Sequence, residues 1–196
     1  MGLTFSSELA YIKQHTACAA REVFEMSSSG SVAPSDSPAS TAIAGLRAAG
    51  ERGDADAVAE HLAPDVVFHS PMTDRIRFEG KDEVVALHRD IFAVLEDIDT
   101  SEPLTLGDTG AFSFRARVRG VELEAMNVMR CNERGQIVEI TIFIRPLPAL
   151  AALFAALPPR VSARRRGRRR AALATALARP LALAVRTADL FVPSFL

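Results

Sequence analysis

Two turn signals constrain the fold of this chain more than any other feature of its sequence. Arg119-Gly120 and Asn132-Glu133-Arg134-Gly135 are typical of tight hairpin connections, and each stands between stretches in which polar and apolar residues alternate. A further strand near Pro103 to Leu106, turned by Gly107-Asp108-Thr109-Gly110, would precede them. The sequence therefore predicts a four-stranded antiparallel meander.

The same turns predict which residues face each other across the strands. A two-residue turn followed by a four-residue turn brings together three pairs of opposite charge, which are Arg117 with Glu122, Arg115 with Glu124, and Glu122 with Arg145. Each pair contributes up to about 1 kcal/mol. Because side chains alternate along a strand, the opposite face is apolar apart from Asn127. That face carries Phe112, Phe114, Ala116, Val118, Leu123, Ala125, Asn127, Met129, Val138, Ile140, Ile142 and Ile144.

Helical periodicity precedes the meander. Ile43, Leu46, Val58 and Leu62 fall at helical spacings, and Gly53-Asp54 divides them between two short helices, with Asp54 as an N-cap. Short strands are predicted at Val66 to Ser70 and Arg75 to Phe78. A longer helix follows, with an apolar stripe of Val84, Leu87, His88, Ile91 and Leu95. Helices packed on the apolar face of a meander give an α+β fold.

Composition predicts three regions along the 196 residues. Residues 1–40 are a disordered leader, because SSSGSVAPSDSPAST contains too few apolar groups to offset the entropy of ordering. Residues 41–154 form the domain, and residues 155–196 form a partly helical tail rich in Arg, Ala and Leu. One hypothesis is that Met26 is the true start of the protein.

The tail also carries the charge asymmetry of the chain. Residues 160–196 hold nine arginines against the single acid Asp189, whereas the remainder has 14 basic and 23 acidic residues. The tail is too short and too interrupted to cross a membrane. It is either a basic segment that contacts an anionic surface, such as a membrane or nucleic acid, or a solvated appendage without a specific ligand.

The cysteines and the N-terminus bear on the cellular compartment. Cys18 and Cys131 are too few and too far apart to form a disulfide framework, and the first 25 residues lack the pattern of a secretory signal. The sequence therefore predicts a cytoplasmic protein. No two histidines have the spacing of helical metal ligands, so neither a metal site nor a cofactor is expected.

Three segments resemble the nuclear transport factor 2-like superfamily, and specifically its SnoaL-like branch. They are GDADAVAEHLAPDVVFHSP, RFEGKDEVVALHRDIF and CNERGQIVEITIFIRPL, and the resemblance covers about residues 41–150. It implies a cone-shaped, curved antiparallel sheet wrapped on three helices, with a pocket inside. Such domains include isomerases, epoxide hydrolases, polyketide cyclases and members that only bind or scaffold.

The resemblance also indicates where enzymes of the superfamily keep their acids. The carboxylate base of steroid isomerase relatives corresponds to Ser70, before Pro71, and their second acid corresponds to Asn127. Their tyrosine corresponds to Leu46. Serine does not abstract a carbon-bound proton unaided, although asparagine can donate to an oxygen. Epoxide hydrolysis needs two inward acids and an arginine, which the apolar face lacks.

These observations give a set of candidate site residues. His88 is the catalytic candidate, because it is the one titratable group on its helical stripe; the alternative is a boundary histidine with a satisfied hydrogen bond. Asn127 must be satisfied either by the protein or by a ligand. The expected ligand-binding residues are Asn127, Ser70, Phe68, Phe112, Phe114, Met129 and Ile142.

Three functions remain open. The first is binding of a small apolar molecule in the pocket without assured catalysis. The second is an isomerase, cyclase or hydratase that acts on a polyketide-like or terpenoid-like compound, with His88 as base. The third is a dimeric interaction module with a basic tail. Homodimerisation is expected through the outer sheet face, where the sequence places Met126, Val128, Ile137 and Phe143.

Overall fold

The computed structural model describes residues 37–73 and 75–167, together with residues 176, 180, 182–185 and 187–189. The predicted leader up to residue 36, the proposed start at Met26 and most of the tail lie outside these residues. Four helices and seven strands follow one another in the described part of the chain. They are α1 (Pro38–Glu51), α2 (Ala55–His61), β1 (Leu62–His69), β2 (Arg77–Glu79), α3 (Lys81–Phe92), β3 (Glu96–Thr100), β4 (Leu104–Leu106), β5 (Thr109–Val118), β6 (Val121–Cys131), β7 (Ile137–Arg145) and α4 (Leu147–Arg166).

Local capping explains where the first two helices begin. Ser37 caps α1 by accepting a hydrogen bond from the backbone N–H of Ser40, so this helix begins before the predicted domain start at Thr41. Asp54 caps α2, as predicted, by accepting from the N–H groups of Asp56 and Ala57. The two helices approach closely at Gly45, where a Cβ atom would lie 2.2 Å from the His61 ring. These contacts bury the apolar stripe of α1 against the sheet.

The strands form one curved sheet in the order β2-β1-β7-β6-β5-β3, with β4 also paired to β5. All of its pairs are antiparallel except β1 with β7, where Phe68 lies opposite Ile140. The predicted α+β class and the meander are confirmed. Strand β3, which the sequence analysis missed, lies beside β5 and extends the edge begun by β4.

The predicted register is correct in the first hairpin and wrong in the second. Arg117 faces Glu122 and Arg115 faces Glu124, as expected. Arg145, however, faces Glu124 and not Glu122. The loop contains Gln136 as a fifth residue, since Cys131 pairs with Ile137, and a bulge after this pair adds another. A shift of two residues leaves the faces of the strand unchanged, because side chains alternate with a period of two.

Because of the bulge, two residues at the start of β7 do not lie on the faces predicted for them. Ile137, predicted on the outer face, is fully buried with an exposure of 0%, whereas Val138, predicted on the inner face, is half-buried. The outer apolar group therefore consists of Met126, Val128 and Phe143 without Ile137.

Helix α4 extends the folded unit beyond the predicted domain end at residue 154. It buries Ala149, Leu153, Ala156 and Leu157 in the same core as the sheet and the other helices. The sheet is therefore covered by four described helices, one more than the resemblance implied. Within the part of the chain that the structure describes, no helix is long and apolar enough to cross a membrane.

Candidate functional site

The candidate site is an apolar cavity of about 320 Å³ between the sheet, α3 and α4, hereafter the main cavity. Its walls are formed mainly by apolar side chains from β1, β2, α3, the meander and α4. Representative residues are Phe68, Phe78, Leu123, Ile142, Leu153 and Leu157. The rings of Phe68 and Phe78 meet edge to face, with their centroids 6.2 Å apart, and give this wall a rigid aromatic surface.

The polar groups of the lining belong to half-buried or exposed residues, which define the solvent-facing mouth of this cavity. Among the described residues they are the hydroxyls of Ser70, Thr73 and Ser162 and the guanidinium groups of Arg165 and Arg166. The Oγ of Ser70 accepts a hydrogen bond from the N–H of Met72, at 3.2 Å, so its own hydroxyl proton is free to donate elsewhere. The cavity thus has an apolar body and a mouth rich in donors.

A second cavity of about 50 Å³ adjoins the first and is lined by the two polar candidates. His88 and Asn127 both line it, together with Phe112. Phe68, Ile91, Leu95, Phe114 and Ile142 line both cavities and so separate them. His88 and Asn127 thus lie at one cavity, which these shared residues separate from the main cavity, and their roles stay predictions.

The environment of His88 keeps its ring neutral. Nδ1 donates a hydrogen bond to the carbonyl of Val84 at 2.8 Å, and the ring lies between Phe68 and Phe92. Burial lowers the pKa of His88, and the bond to the Val84 carbonyl opposes this effect without reversing it. The geometry matches the alternative of a boundary histidine with a satisfied hydrogen bond.

The other predicted ligand-binding residues divide between the two cavities and the core. Phe68, Phe114 and Ile142 line both cavities, and Ser70 lines the main one. Met129 is 1% exposed and lines neither of these two cavities. Within the described residues, no three His, Cys, Asp or Glu side chains converge as metal ligands.

Helix α4 supplies the cavity residues that the sequence analysis missed. Leu153, Leu157, Val161 and Arg165 recur every four residues and line one wall of the main cavity. This spacing is a helical signal that spans the predicted domain end. Pro158-Pro159 and the following arginines obscured it, because prolines inside a helical pattern normally end the helix.

Arginines from the start of the basic run hold α4 against α3. Arg164 contacts Glu83 at 2.9 Å and Asp90 at 3.0 Å, and Arg165 contacts Glu83 at 2.7 Å. Burial raises the pKa of Glu83, but the hydrogen bonds and charges of both arginines outweigh burial and hold that pKa below its usual value. The beginning of the predicted tail is therefore a docked part of the domain.

Comparison with known proteins is consistent with this architecture. The family profile of the SnoaL-like domain matches residues 43–140. Of the curated proteins, none matches the chain.

Solved structures share the fold. A steroid delta-isomerase from Pseudomonas aeruginosa is 27% identical with a TM-score of 0.61, and the match covers 67% of this chain and 96% of the isomerase. A bacterial protein with a cystatin-like fold from Silicibacter pomeroyi is 26% identical with a TM-score of 0.60, over 66% of this chain and 93% of that protein. The family profile spans half of the sequence, and the folds agree. The chain therefore belongs to the SnoaL-like domain family, within the nuclear transport factor 2-like superfamily.

Proposed function

We propose that this protein binds a small, predominantly apolar molecule in its main cavity, without a catalytic step. The observation that carries the proposal is the cavity itself, which has a volume of about 320 Å³ and walls made mostly of apolar side chains. Small-molecule sites typically have volumes of roughly 300–1,000 Å³ and few polar groups. Transfer of an apolar ligand from water into such a cavity is favoured by the hydrophobic effect.

The residues of this cavity do not support acid–base chemistry. None of its described lining residues is a carboxylate or a histidine. Ser70 occupies the position of the isomerase base, and a serine hydroxyl without an adjacent base does not take up a proton from carbon. Binding is therefore the function that this lining supports.

A second candidate is isomerisation of a steroid-like molecule. It is favoured by the 27% identity to the Pseudomonas aeruginosa steroid delta-isomerase and by the common position of His88 and Asn127 at one cavity. That cavity has a volume of only about 50 Å³, which is far below the size of a small-molecule site. Catalysis there would require the wall of shared apolar residues to move, so this candidate ranks second.

A cavity-blocking substitution tests the binding proposal. Ser162 lies on α4 and lines the main cavity, whereas the adjacent Ala163 is exposed and does not line it. We expect Ser162→Trp to weaken binding of the neutral apolar dye Nile red at least about tenfold, because the indole occupies ligand space. The measurement is a fluorescence titration of dye against each protein, with stoichiometry from native mass spectrometry.

Ala163→Trp is the matched control, since it adds the same side chain one residue away on the solvent side. It should bind the dye as the wild type does, with one molecule per chain. Equal affinities of the two tryptophan variants would show that the dye does not occupy the main cavity and would contradict the proposal.

A further inference from the structure

We propose that the molecule bound in the main cavity is an amphiphilic carboxylate, whose apolar body fills the cavity and whose anionic group is received by Arg166 at the mouth. This inference rests on the proposed binding function and adds the chemical class of the ligand. It follows from the charge distribution along the lining, from the ion pairs of the neighbouring arginines and from the position of Arg165 at the rim.

The first argument is the one-sided polarity of the mouth. Its described polar groups are three hydroxyls, from Ser70, Thr73 and Ser162, and the two guanidinium groups of Arg165 and Arg166. Hydroxyls and guanidinium groups are hydrogen-bond donors, and no described lining residue carries a negative charge. An anionic group gains charge-assisted hydrogen bonds from these guanidinium groups, which a ligand with a neutral apolar surface does not.

The second argument is that the local carboxylates are already engaged. Glu83 contacts Arg164 and Arg165, and Asp90 contacts Arg164 and, at 4.0 Å, Arg160. Among the described residues, Arg166 has no carboxylate partner. Three guanidinium groups therefore share two carboxylates and Arg166 adds a fourth positive charge, so this end of α4 carries excess positive charge.

The third argument concerns the position of Arg165. Its guanidinium carbon lies 4.6 Å from the centroid of the Phe78 ring, and Phe78 is itself a wall residue of the cavity. Glu83 holds the same guanidinium from the other side, with Nε 2.9 Å from a carboxylate oxygen. These two contacts hold Arg165 at the rim of the cavity and thereby hold the last turn of α4 in place. Its neighbour Arg166 lies at the same mouth.

A carboxylate is the anion that this arrangement favours. Arginine binds carboxylates through paired, charge-assisted hydrogen bonds, which are stronger than neutral ones. A fatty acid or an aromatic carboxylic acid combines such a group with an apolar body of the required kind. A neutral alcohol of the same length has the body but gains only ordinary hydrogen bonds at the rim.

Competition between two matched ligands tests this inference. Dodecanoate and dodecan-1-ol have the same chain length and differ in the head group, and each would displace Nile red from the wild-type protein. We expect dodecanoate to bind about tenfold more tightly than the alcohol at low ionic strength. Without a cationic partner the order would reverse, because a carboxylate loses more hydration on binding.

Arg166→Gln identifies the group responsible, and Arg134→Gln is its matched control. Arg134 is exposed in the turn between β6 and β7 and does not line the cavity. The preference for dodecanoate should disappear in Arg166→Gln and persist in Arg134→Gln, while dodecan-1-ol binds all three proteins alike. Because Arg166 is exposed, its replacement is expected to leave the melting temperature unchanged.

The outcomes separate the inference from the function on which it rests. If the alcohol binds as tightly as dodecanoate, or if Arg166→Gln keeps the wild-type preference, the anionic ligand class is wrong although the cavity still binds apolar molecules. If neither ligand displaces the dye, or if the dye binds outside the cavity, the proposed binding function itself fails.

Discussion

At the residue scale, His88 shows how burial turns a titratable group into a structural one. Its Nδ1–H is bound to the Val84 carbonyl, and aromatic rings cover it on two sides. Because burial lowers the pKa of His88, the folded state stays neutral at a pH where the unfolded chain already takes up a proton. Stability is therefore complete above the unfolded pKa of about 6.5 and decreases as the pH falls below it.

His88→Leu should remove this dependence. We expect the free energy of unfolding of the wild type to fall by up to about 1.4 kcal/mol per pH unit below pH 6.5 through this one group, and the variant to lack that contribution. The Val84 carbonyl keeps its place in the helix, so the variant leaves no buried acceptor stranded. Urea unfolding at several values between pH 8 and pH 5 measures the difference.

His69→Gln is the control, because His69 lies on the outer face and contacts Glu139 at 2.9 Å. Burial also lowers the pKa of His61, although the charge of Glu60 opposes this shift. Because His61 is present in both proteins, its effect on stability cancels in the comparison. Parallel stability curves for wild type and His88→Leu would contradict the neutral, buried histidine. An isomerase that used His88 would instead lose turnover in this variant.

At the element scale, ion pairs between α3 and α4 hold α4 beside the cavity, which Arg165 also lines. Glu83 stands in the first turn of α3, and Arg164 and Arg165 stand in the last turn of α4. The side chains are about one third exposed or less, at 27%, 30% and 33%. Exposed pairs of this kind contribute little singly, but one carboxylate shared by two arginines forms a network.

Glu83→Gln should loosen this contact. We expect a loss of about 1 kcal/mol in the free energy of unfolding at pH 7, together with faster hydrogen exchange in the last turn of α4. Because the pKa of Glu83 is lowered in the folded state, its contribution is present above the unfolded pKa and is lost as the pH falls through the folded one. The two proteins should therefore converge in stability at acid pH.

Asp82→Asn is the matched control for Glu83→Gln. Asp82 lies in the same helical turn, so both substitutions remove one charge from the positive end of the helix dipole. Of these two acids, Glu83 contacts Arg164 and Arg165 of α4, whereas Asp82 forms no ion pair with a described residue. Equal losses in the two variants would assign the effect to the dipole and would contradict the role of the contact.

The same elements show what the sequence could predict. The hairpin of β5 and β6 was predictable because Arg119 and Gly120 both adopt the positive φ angles that a two-residue turn requires. The register of the hairpin of β6 and β7 was not predictable. Its five-residue loop and bulge give the same sequence pattern as a four-residue turn. Strand β3 was missed since its sequence, EDIDT, is acidic and gains its apolar contacts only at the sheet edge.

The candidate site was less predictable than the fold. Alternation correctly placed Phe114 and Ile142 on the cavity side, but it could not say where the space between sheet and helices lies. Met129 and Phe112 share that face, yet Met129 is packed in the core and Phe112 lines only the small cavity. The division of one apolar face into core and cavities depends on α4, whose position no local pattern indicates.

At the scale of the whole molecule, we expect the outer face of the sheet to contact a second copy. Met126 and Phe143 lie opposite each other there and remain 47% and 59% exposed. Pairs of opposite charge flank them, with Arg130 and Glu139 on one side and Glu124 and Arg145 on the other. A twofold axis through the apolar pair would bring like apolar groups together and allow opposite charges to meet around them.

Phe143→Glu tests this arrangement, because it places a negative charge at the centre of the expected interface and would repel its own copy across the axis. We expect the wild type to sediment as a dimer and the variant as a monomer with unchanged secondary structure. Leu147→Glu is the matched control, since Leu147 is 64% exposed on α4, outside the sheet, and its replacement should leave the dimer intact. Dissociation by both substitutions would indicate a nonspecific effect of charge. A wild-type protein that remains monomeric at the highest attainable concentration would show that this face is not an interface.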